Sequence, residues 1–141
     1  MKLTYLPVLR ASGALGRRKP DESVEDLQVA LRYELAGNGL NFNYYYLGGL
    51  HSAYVRGEAL VAEQQYAEAA SEFQKILDHR GIVALDPIGA LAHLQLGRVL
   101  AASGDKAKAK AAYDSFLTLW KDAEPDIPIL KEAKMEYARL R

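Results

Sequence analysis

Three histidines, two short basic clusters and two acidic pairs are the groups in this 141-residue chain whose chemistry calls for a first reading. A metal site needs ligands that converge, typically at helical spacings of three or four. His51, His79 and His93 have no such spacing, and no carboxylate pattern completes a ligand set, so they read as structural or surface side chains. The basic clusters, "RRK" at 17–19 and Lys106, Lys108 and Lys110, are short. Only Lys106 and Lys110 share a helical face, which suits a solvated surface better than a nucleic-acid contact. The pairs Asp21–Glu22 and Glu124–Asp126 fit helix starts, where negative charge opposes the macrodipole. No serine stands in a nucleophile-elbow setting, and no Ser/His/Asp arrangement emerges. The residues point to no catalytic, metal or cofactor chemistry.

Composition narrows the class further. Eighteen Lys+Arg balance eighteen Asp+Glu, so no general field draws the chain to nucleic acid or to an anionic membrane. There is no cysteine, hence no disulfide. "MKLTYLPVLRASGALGRRK" lacks the apolar core of a signal peptide, and no run of 18 or so uncharged apolar residues offers a membrane span. The expected location is cytoplasmic by default. Half of the residues are apolar, enough for a core in one domain.

The elements that would position these groups are helical. Asp86 and Pro87 open a helix with apolar residues at Ile88, Leu91, Leu94 (or Leu96), Val99 and Leu100. Gly104 ends it and Asp105 caps the next, which runs to about Lys121 with Ala109, Ala112, Tyr113, Phe116, Leu117 and Trp120 inward. After "DAEPDIP", Asp126 and Pro128 start a last helix with one apolar stripe, Ile129, Leu130, Ala133, Tyr137 and Leu140. Upstream, the pattern predicts helices at 4–16, 21–36, 44–63 and 67–79. "GNGLNFN" at 37–43 reads as a loop, and so does 78–87, with an extended piece at Ile82–Val83. No segment alternates long enough to argue a sheet. The fold class is all-α with seven helices.

Two helix pairs repeat. At a shift of 40, Gly57 aligns with Gly97, Leu60 with Leu100, Ala69 with Ala109, Phe73 with Tyr113, Ile76 with Phe116 and Leu77 with Leu117. A glycine inside a helix costs about 1 kcal/mol relative to alanine. Close approach of two antiparallel helices offsets that cost: glycine and alanine at the crossing let the backbones meet, and the aromatic fills the space one turn further on. A degenerate third copy stands 46 residues ahead of Gly57, at Ala11, Ala14, Ser23, Leu27 and Ala30.

These offsets resemble the tetratricopeptide repeat (TPR) family, whose pattern is W-x2-L-G-x2-Y, then A-x3-F, on a helix–turn–helix unit of about 34 residues. "HLQLGRVL" and "AKAAYDSFL" match through Leu96, Gly97, Ala109 and Tyr113. "YVRGEAL" and "AASEFQKIL" match through Gly57, Ala69 and Phe73. Departures are Arg56 for leucine, Leu60 and Leu100 for tyrosine, Ala53 and His93 for tryptophan, and a longer spacing that places about six extra residues in the 78–89 loop. "EFQKILDHRGIV", "DPIGALAHLQLGR" and "FLTLWKDAEPDIPILKEAK" also resemble the C-terminal TPR segment that follows a serine/threonine kinase or winged-helix domain in bacterial signalling proteins. The abrupt start "MKLTYLP" fits a piece of such an architecture. No kinase activity carries over: "HRG" at 79–81 lacks the catalytic aspartate, and neither a glycine-rich phosphate loop nor D-F-G occurs.

The resemblance implies an α-α superhelix, one domain over 1–141: a degenerate hairpin at 4–36, hairpins at 44–79 and 87–122, and a capping helix at 127–140. It implies a non-enzymatic protein-interaction module, without a cofactor, in a regulatory or scaffolding role. First helices of TPR hairpins line a concave surface. Here that surface would hold His51, Tyr54, Glu58 and Val61, then Leu91, Leu94, Arg98 and Ala101, with Tyr5, Val8 and Ser12 from the first hairpin. Burial against neighbouring helices is the competing reading for Leu91 and Leu94, and also for Tyr54 and Arg98. Its partner would be a protein or peptide, or the missing upstream domains, with no nucleic acid and no membrane. The N-terminal edge, with Leu3, Leu6 and Leu9, is expected to self-associate. Two rival functions are a small-ligand sensor, with a pocket under loops 37–43 and 78–89 lined by Tyr44–Tyr46 and His79, and a purely structural fragment. Trp120 is expected to pack on the final helix.

Overall fold

The computed structural model describes residues 5–35, 50–83 and 86–140. Eight α-helices and one 3-10 segment make up the described residues, and no strand occurs among them. In order they are α1 (Tyr5–Gly16), α2 (Pro20–Asp26), a 3-10 segment (Gln28–Tyr33), α3 (Leu50–Ala62), α4 (Tyr66–Asp78), α5 (Arg80–Val83), α6 (Ile88–Ala102), α7 (Lys106–Leu119) and α8 (Pro128–Arg139). The all-α class holds. No described helix is long and apolar enough to cross a membrane.

Two expected elements differ. The helix predicted over 21–36 breaks after Asp26 and continues as 3-10 turns. The 78–87 loop contains the short helix α5 where an extended piece was expected at Ile82–Val83. Expected residues 36–49, including Tyr44–Tyr46, fall outside the described residues.

Three hairpins share one turn. Two positions beyond the last residue of each first helix stands a left-handed residue: Arg18 (φ 59°), Gln64 (φ 60°) and Gly104 (φ 91°). The next amide then donates back to the helix, Lys19 to the Ala14 carbonyl (3.0 Å), Gln65 to Leu60 (2.9 Å) and Asp105 to Leu100 (2.9 Å). This six-to-one bond satisfies a carbonyl that a helix end would otherwise leave unpaired. The residue accepting at the start of the second helix also recurs: Ser23, Ala69 and Ala109 donate to the carbonyls of Lys19, Gln65 and Asp105. Geometry therefore repeats at the offsets of 46 and 40 that the residue pattern showed.

Packing inside each hairpin explains its glycine or alanine. A methyl group on Gly57 would lie 2.7 Å from Cε1 and Cζ of Phe73, and one on Gly97 would lie 2.8 Å from Cδ2 of Tyr113. The ring thus sits directly over the glycine, where the sequence pattern suggested a position one turn beyond it. Ala69 and Ala109 are fully buried alongside. In the first hairpin the ring is replaced by Leu27, and Ala11 stands in the glycine position, both fully buried. Smaller partner and larger partner trade volume across the crossing.

The cores lie at the seams between hairpins. One cluster joins α3 and α4 to α6 through Leu50, Phe73, Ile76, Ala92, Leu96 and Val99. A second joins α6 and α7 to α8 through Leu94, Tyr113, Phe116, Leu130 and Ala133. The first hairpin meets α3 through a smaller cluster of Ala11, Leu27 and Val55.

That smaller seam carries a buried ionic network which the sequence pattern did not reveal. Arg56 (5 % exposed) binds Glu34 (2 % exposed) through Nη2 and donates from Nη1 to Glu72 Oε2 at 2.8 Å. Lys75 Nζ reaches Glu34 Oε2 (3.2 Å) and Glu72 Oε2 (2.9 Å), and Ser52 Oγ donates to Glu34 Oε1 (2.7 Å). Two carboxylates and two cations cancel. Burial pushes the Glu34 carboxyl up, but the bonds from Arg56 and Ser52 and the charges of Arg56 and Lys75 outweigh it and hold the group below its usual range.

Helix starts follow the expected chemistry at two of three places. Asp86 Oδ1 accepts from the Ile88 amide (3.0 Å) and Asp105 Oδ1 from the Lys108 amide (3.1 Å). Asp126 does not cap α8. It pairs with Lys131 at 2.9 Å, and Pro128 opens the helix after an extended Ile127.

Candidate functional site

The side chains of α3, α6 and α8 form one continuous polar face. Each helix repeats the role of the one before it. Gln95 of α6 lies over α3, donating from Nε2 to the Tyr54 hydroxyl (3.2 Å) and to Glu58 Oε1 (3.4 Å). Glu136 of α8 lies over α6 and α7 in the same way. It binds Arg98 through two bonds of 2.9 Å and accepts from the Tyr113 hydroxyl at 2.7 Å. By the 40-residue shift Glu58 and Arg98 are equivalent, and one position apart from that shift so are Gln95 and Glu136. The last helix stands to the third hairpin as α6 stands to the second.

Charge on this face is distributed unevenly. Burial alone would lower the Arg98 guanidinium, but Glu136 and Glu132 hold it firmly protonated. Burial would raise Glu136, and its bonds from Arg98 and Tyr113 keep it below the ordinary carboxylate range. Tyr113 is pushed up by burial and then by Glu136. Glu58 differs from both. Its partners are the neutral Tyr54 and Gln95, and it forms no ion pair among the described residues. Burial raises its carboxyl pKa, and the Tyr54 bond and the more distant Arg98 charge do not reverse the shift. Tyr54 is pushed up to about 12, by burial first and by the neighbouring carboxylate.

The groove residues expected from sequence separate accordingly. Tyr54 and Glu58 are half-buried on the face, with the Tyr54 ring edge-on to Phe73 at 5.7 Å. Val61 and Ala101 are half-buried at its far end. Tyr5 and Val8 are half-buried and Ser12 exposed on α1, at the corresponding positions of the first hairpin. Leu94 is corrected: at 1 % exposure it belongs to the core beneath α8, and Leu91 packs on the same cluster. Arg98 is corrected as an available cation, because Glu132 and Glu136 of α8 engage it. His51 faces away toward the α6 start, with Nε2 3.4 Å from Asp86 Oδ2. The repeat pattern offers Arg98 as the cation of the face, but the acceptor that takes it lies outside the repeated hairpins, on α8.

A second concavity lies on another side of α6. A cavity of about 550 Å³ opens between the ends of α4 and α7 and the first turns of α6. Its walls include Leu77, Val83, Ala90 and Trp120, and its polar groups are Arg80, Asp86 and His93. It continues into a shallow trough of about 840 Å³ between α4 and α7, where His79 lies. Trp120 packs against Phe116, centroids 5.1 Å apart, and against the cluster under α8. His93 and Gln95 are two residues apart on α6, about 200° around the axis, so cavity and polar face point apart. Among the described residues no group of three His, Asp or Glu could hold a metal ion.

No protein-family model matches the chain, and no curated protein matches it either.

Proposed function

We propose that the chain is a non-catalytic, TPR-like interaction module that binds a peptide carrying a basic side chain along the face of α3 and α6. The reading rests most on one observation: Glu58, a half-buried carboxylate bonded only to neutral groups, raised in pKa by burial, at the centre of that face. A lysine or arginine brought to it would replace lost hydration with a charge-assisted bond. Tyr54 and Val61 flank it with apolar surface for the residues on either side. The two sequence matches to the TPR pattern and the thrice-repeated turn support an array of this kind. Within that reading the chain serves a regulatory or scaffolding role in a bacterial signalling system.

The test is selection of displayed peptides on the intact chain, followed by amide chemical-shift mapping. Enriched peptides should carry Lys or Arg between apolar residues and perturb amides around 54–61 and 95–101. Glu58→Lys should weaken them at least tenfold, since a charge-assisted bond is worth roughly 1.5–3 kcal/mol. Binding that maps elsewhere, or that survives Glu58→Lys unchanged, overturns the proposal.

A further inference from the structure

The cavity at the α4, α6 and α7 ends is independent of the peptide-binding face. Its size, about 550 Å³, falls within the range of roughly 300–1,000 Å³ that small-molecule sites occupy. Its walls are mostly apolar, and the Trp120 indole is fixed there by its contact with Phe116.

Hydrogen bonding at this site is uneven. Asp86 is the acidic member, and its two oxygens are already engaged: Oδ1 accepts from the Ile88 amide and Oδ2 faces His51 Nε2 at 3.4 Å. The side chains of Arg80 and His93 remain, with neither hydrogen bond nor ion pair to any described residue. Burial and then the Arg80 cation hold His93 below its ordinary pKa, which favours a neutral imidazole that can donate a hydrogen bond beside that cation. A carboxylate placed here would accept bonds from the Arg80 guanidinium and the His93 imidazole, while an apolar body would displace water from the wall of Leu77, Val83, Ala90 and Trp120.

We propose that this cavity is a binding site for a small organic carboxylate, its anionic end at Arg80 and His93 and its apolar body against Trp120. This would be a second recognition site, of a chemistry different from the basic peptide at Glu58. Arg80 is exposed on the four-residue helix α5, outside the hairpin cores, so its removal should leave the hairpins intact.

The chain reports on its own cavity, because Trp120 is the single tryptophan. The probe is 4-phenylbutyrate, titrated into the full chain with selective tryptophan excitation and checked by calorimetry. A saturable change in Trp120 emission is expected. The neutral isostere 4-phenyl-1-butanol should bind at least tenfold more weakly, and Arg80→Ala should weaken 4-phenylbutyrate by a similar factor with an unchanged far-ultraviolet dichroism spectrum. Arg80→Lys should restore part of the affinity, and the exposed control Lys121→Ala should not alter it. Ala90→Phe fills the cavity and should abolish binding. The proposal is overturned by the absence of a saturable signal, by equal affinity for acid and alcohol, or by full affinity in Arg80→Ala.

Discussion

At the scale of single residues, the fold depends on a trade of volume across each hairpin. Gly57 faces Phe73, Gly97 faces Tyr113, and Ala11 stands where Leu27 replaces the ring. Gly57→Ala should gain about 1 kcal/mol of helix propensity yet lose about 1–3 kcal/mol by overpacking the ring, a net loss. Phe73→Leu alone leaves a void and costs more than 1 kcal/mol. The double variant recreates the pair found in the first hairpin. Its loss should fall short of the sum of the single losses by at least 0.5 kcal/mol in a double-mutant cycle by chemical denaturation; strict additivity would show that ring and glycine do not constrain each other. Glycine at the repeat offset was legible because the residue type itself is unusual within a helix. Leu94 was misplaced because a periodic apolar position looks the same whether solvent or another helix covers it. The Glu34–Arg56–Glu72–Lys75 network was not legible: Arg56 is 22 and 16 residues from its two acids, and the one helical spacing, Glu72 to Lys75, looks like any solvated pair on a helix surface. Its pH signature follows from direction alone. Glu34 has a folded pKa below its unfolded value near 4.5, so its stabilisation is fully present above that value and is lost as pH falls through the folded one. Glu34→Gln should cost about 1–3 kcal/mol at neutral pH, since it leaves buried Arg56 with a weaker partner. The gap to the unmodified chain should then narrow below about pH 4.5, measured by urea denaturation across that range; a gap independent of pH would refute the assignment.

At the scale of the helix hairpin, the shared turn imposes the same left-handed residue three times, and only the third copy uses glycine for it. The sequence pattern marked Gly104 as a helix end for that reason. Gln64 and Arg18 carry no such signal, because their left-handed conformation is imposed by the bonds that follow, Gln65 to Leu60 and Lys19 to Ala14. A side chain in this region costs roughly 1–2 kcal/mol relative to the right-handed one. Gln64→Gly should therefore stabilise the chain by about 0.5–1 kcal/mol after the added flexibility of the unfolded state is counted. Gly104→Ala should destabilise it by a similar amount. Thermal unfolding of the pair decides the matter: shifts of the same sign would mean that the turn does not govern either. The second half of the first hairpin escaped prediction for a different reason. "DLQVALRYEL" has helical composition, yet it forms 3-10 turns that bring Glu34 onto Ser52 and Arg56, so a tertiary ion pair overrides local propensity.

At the scale of the whole molecule, stability is distributed along seams, and each seam needs the helix that follows it. Neighbour-by-neighbour arrays behave as sums of unit and interface terms, so the loss of an end unit weakens its neighbour first. Helix α8 closes the last seam. Leu130 and Ala133 cover Leu94 and Phe116, Glu136 ties Arg98 to Tyr113, and Lys110 lies 5.6 Å over the Tyr137 ring. Ending the chain after Asp122 would expose Leu94, Phe116 and Trp120 together and leave Arg98 half-buried without an acid partner. The buried leucines and phenylalanine each contribute roughly 1.5–3 kcal/mol through burial. The truncated chain should therefore lose several kcal/mol, and its melting temperature should fall by well over 10 °C. Hydrogen exchange locates that loss. Amides of α6 and α7 should exchange faster by two or more powers of ten, while α1 and α2 keep their protection. If protection fell evenly through all helices, the chain would be one cooperative block, and the stacking of hairpin on hairpin would not describe its energetics. If α7 kept full protection, α8 would be an appendage, and the parallel between Gln95 over α3 and Glu136 over α6 would carry no stabilising weight.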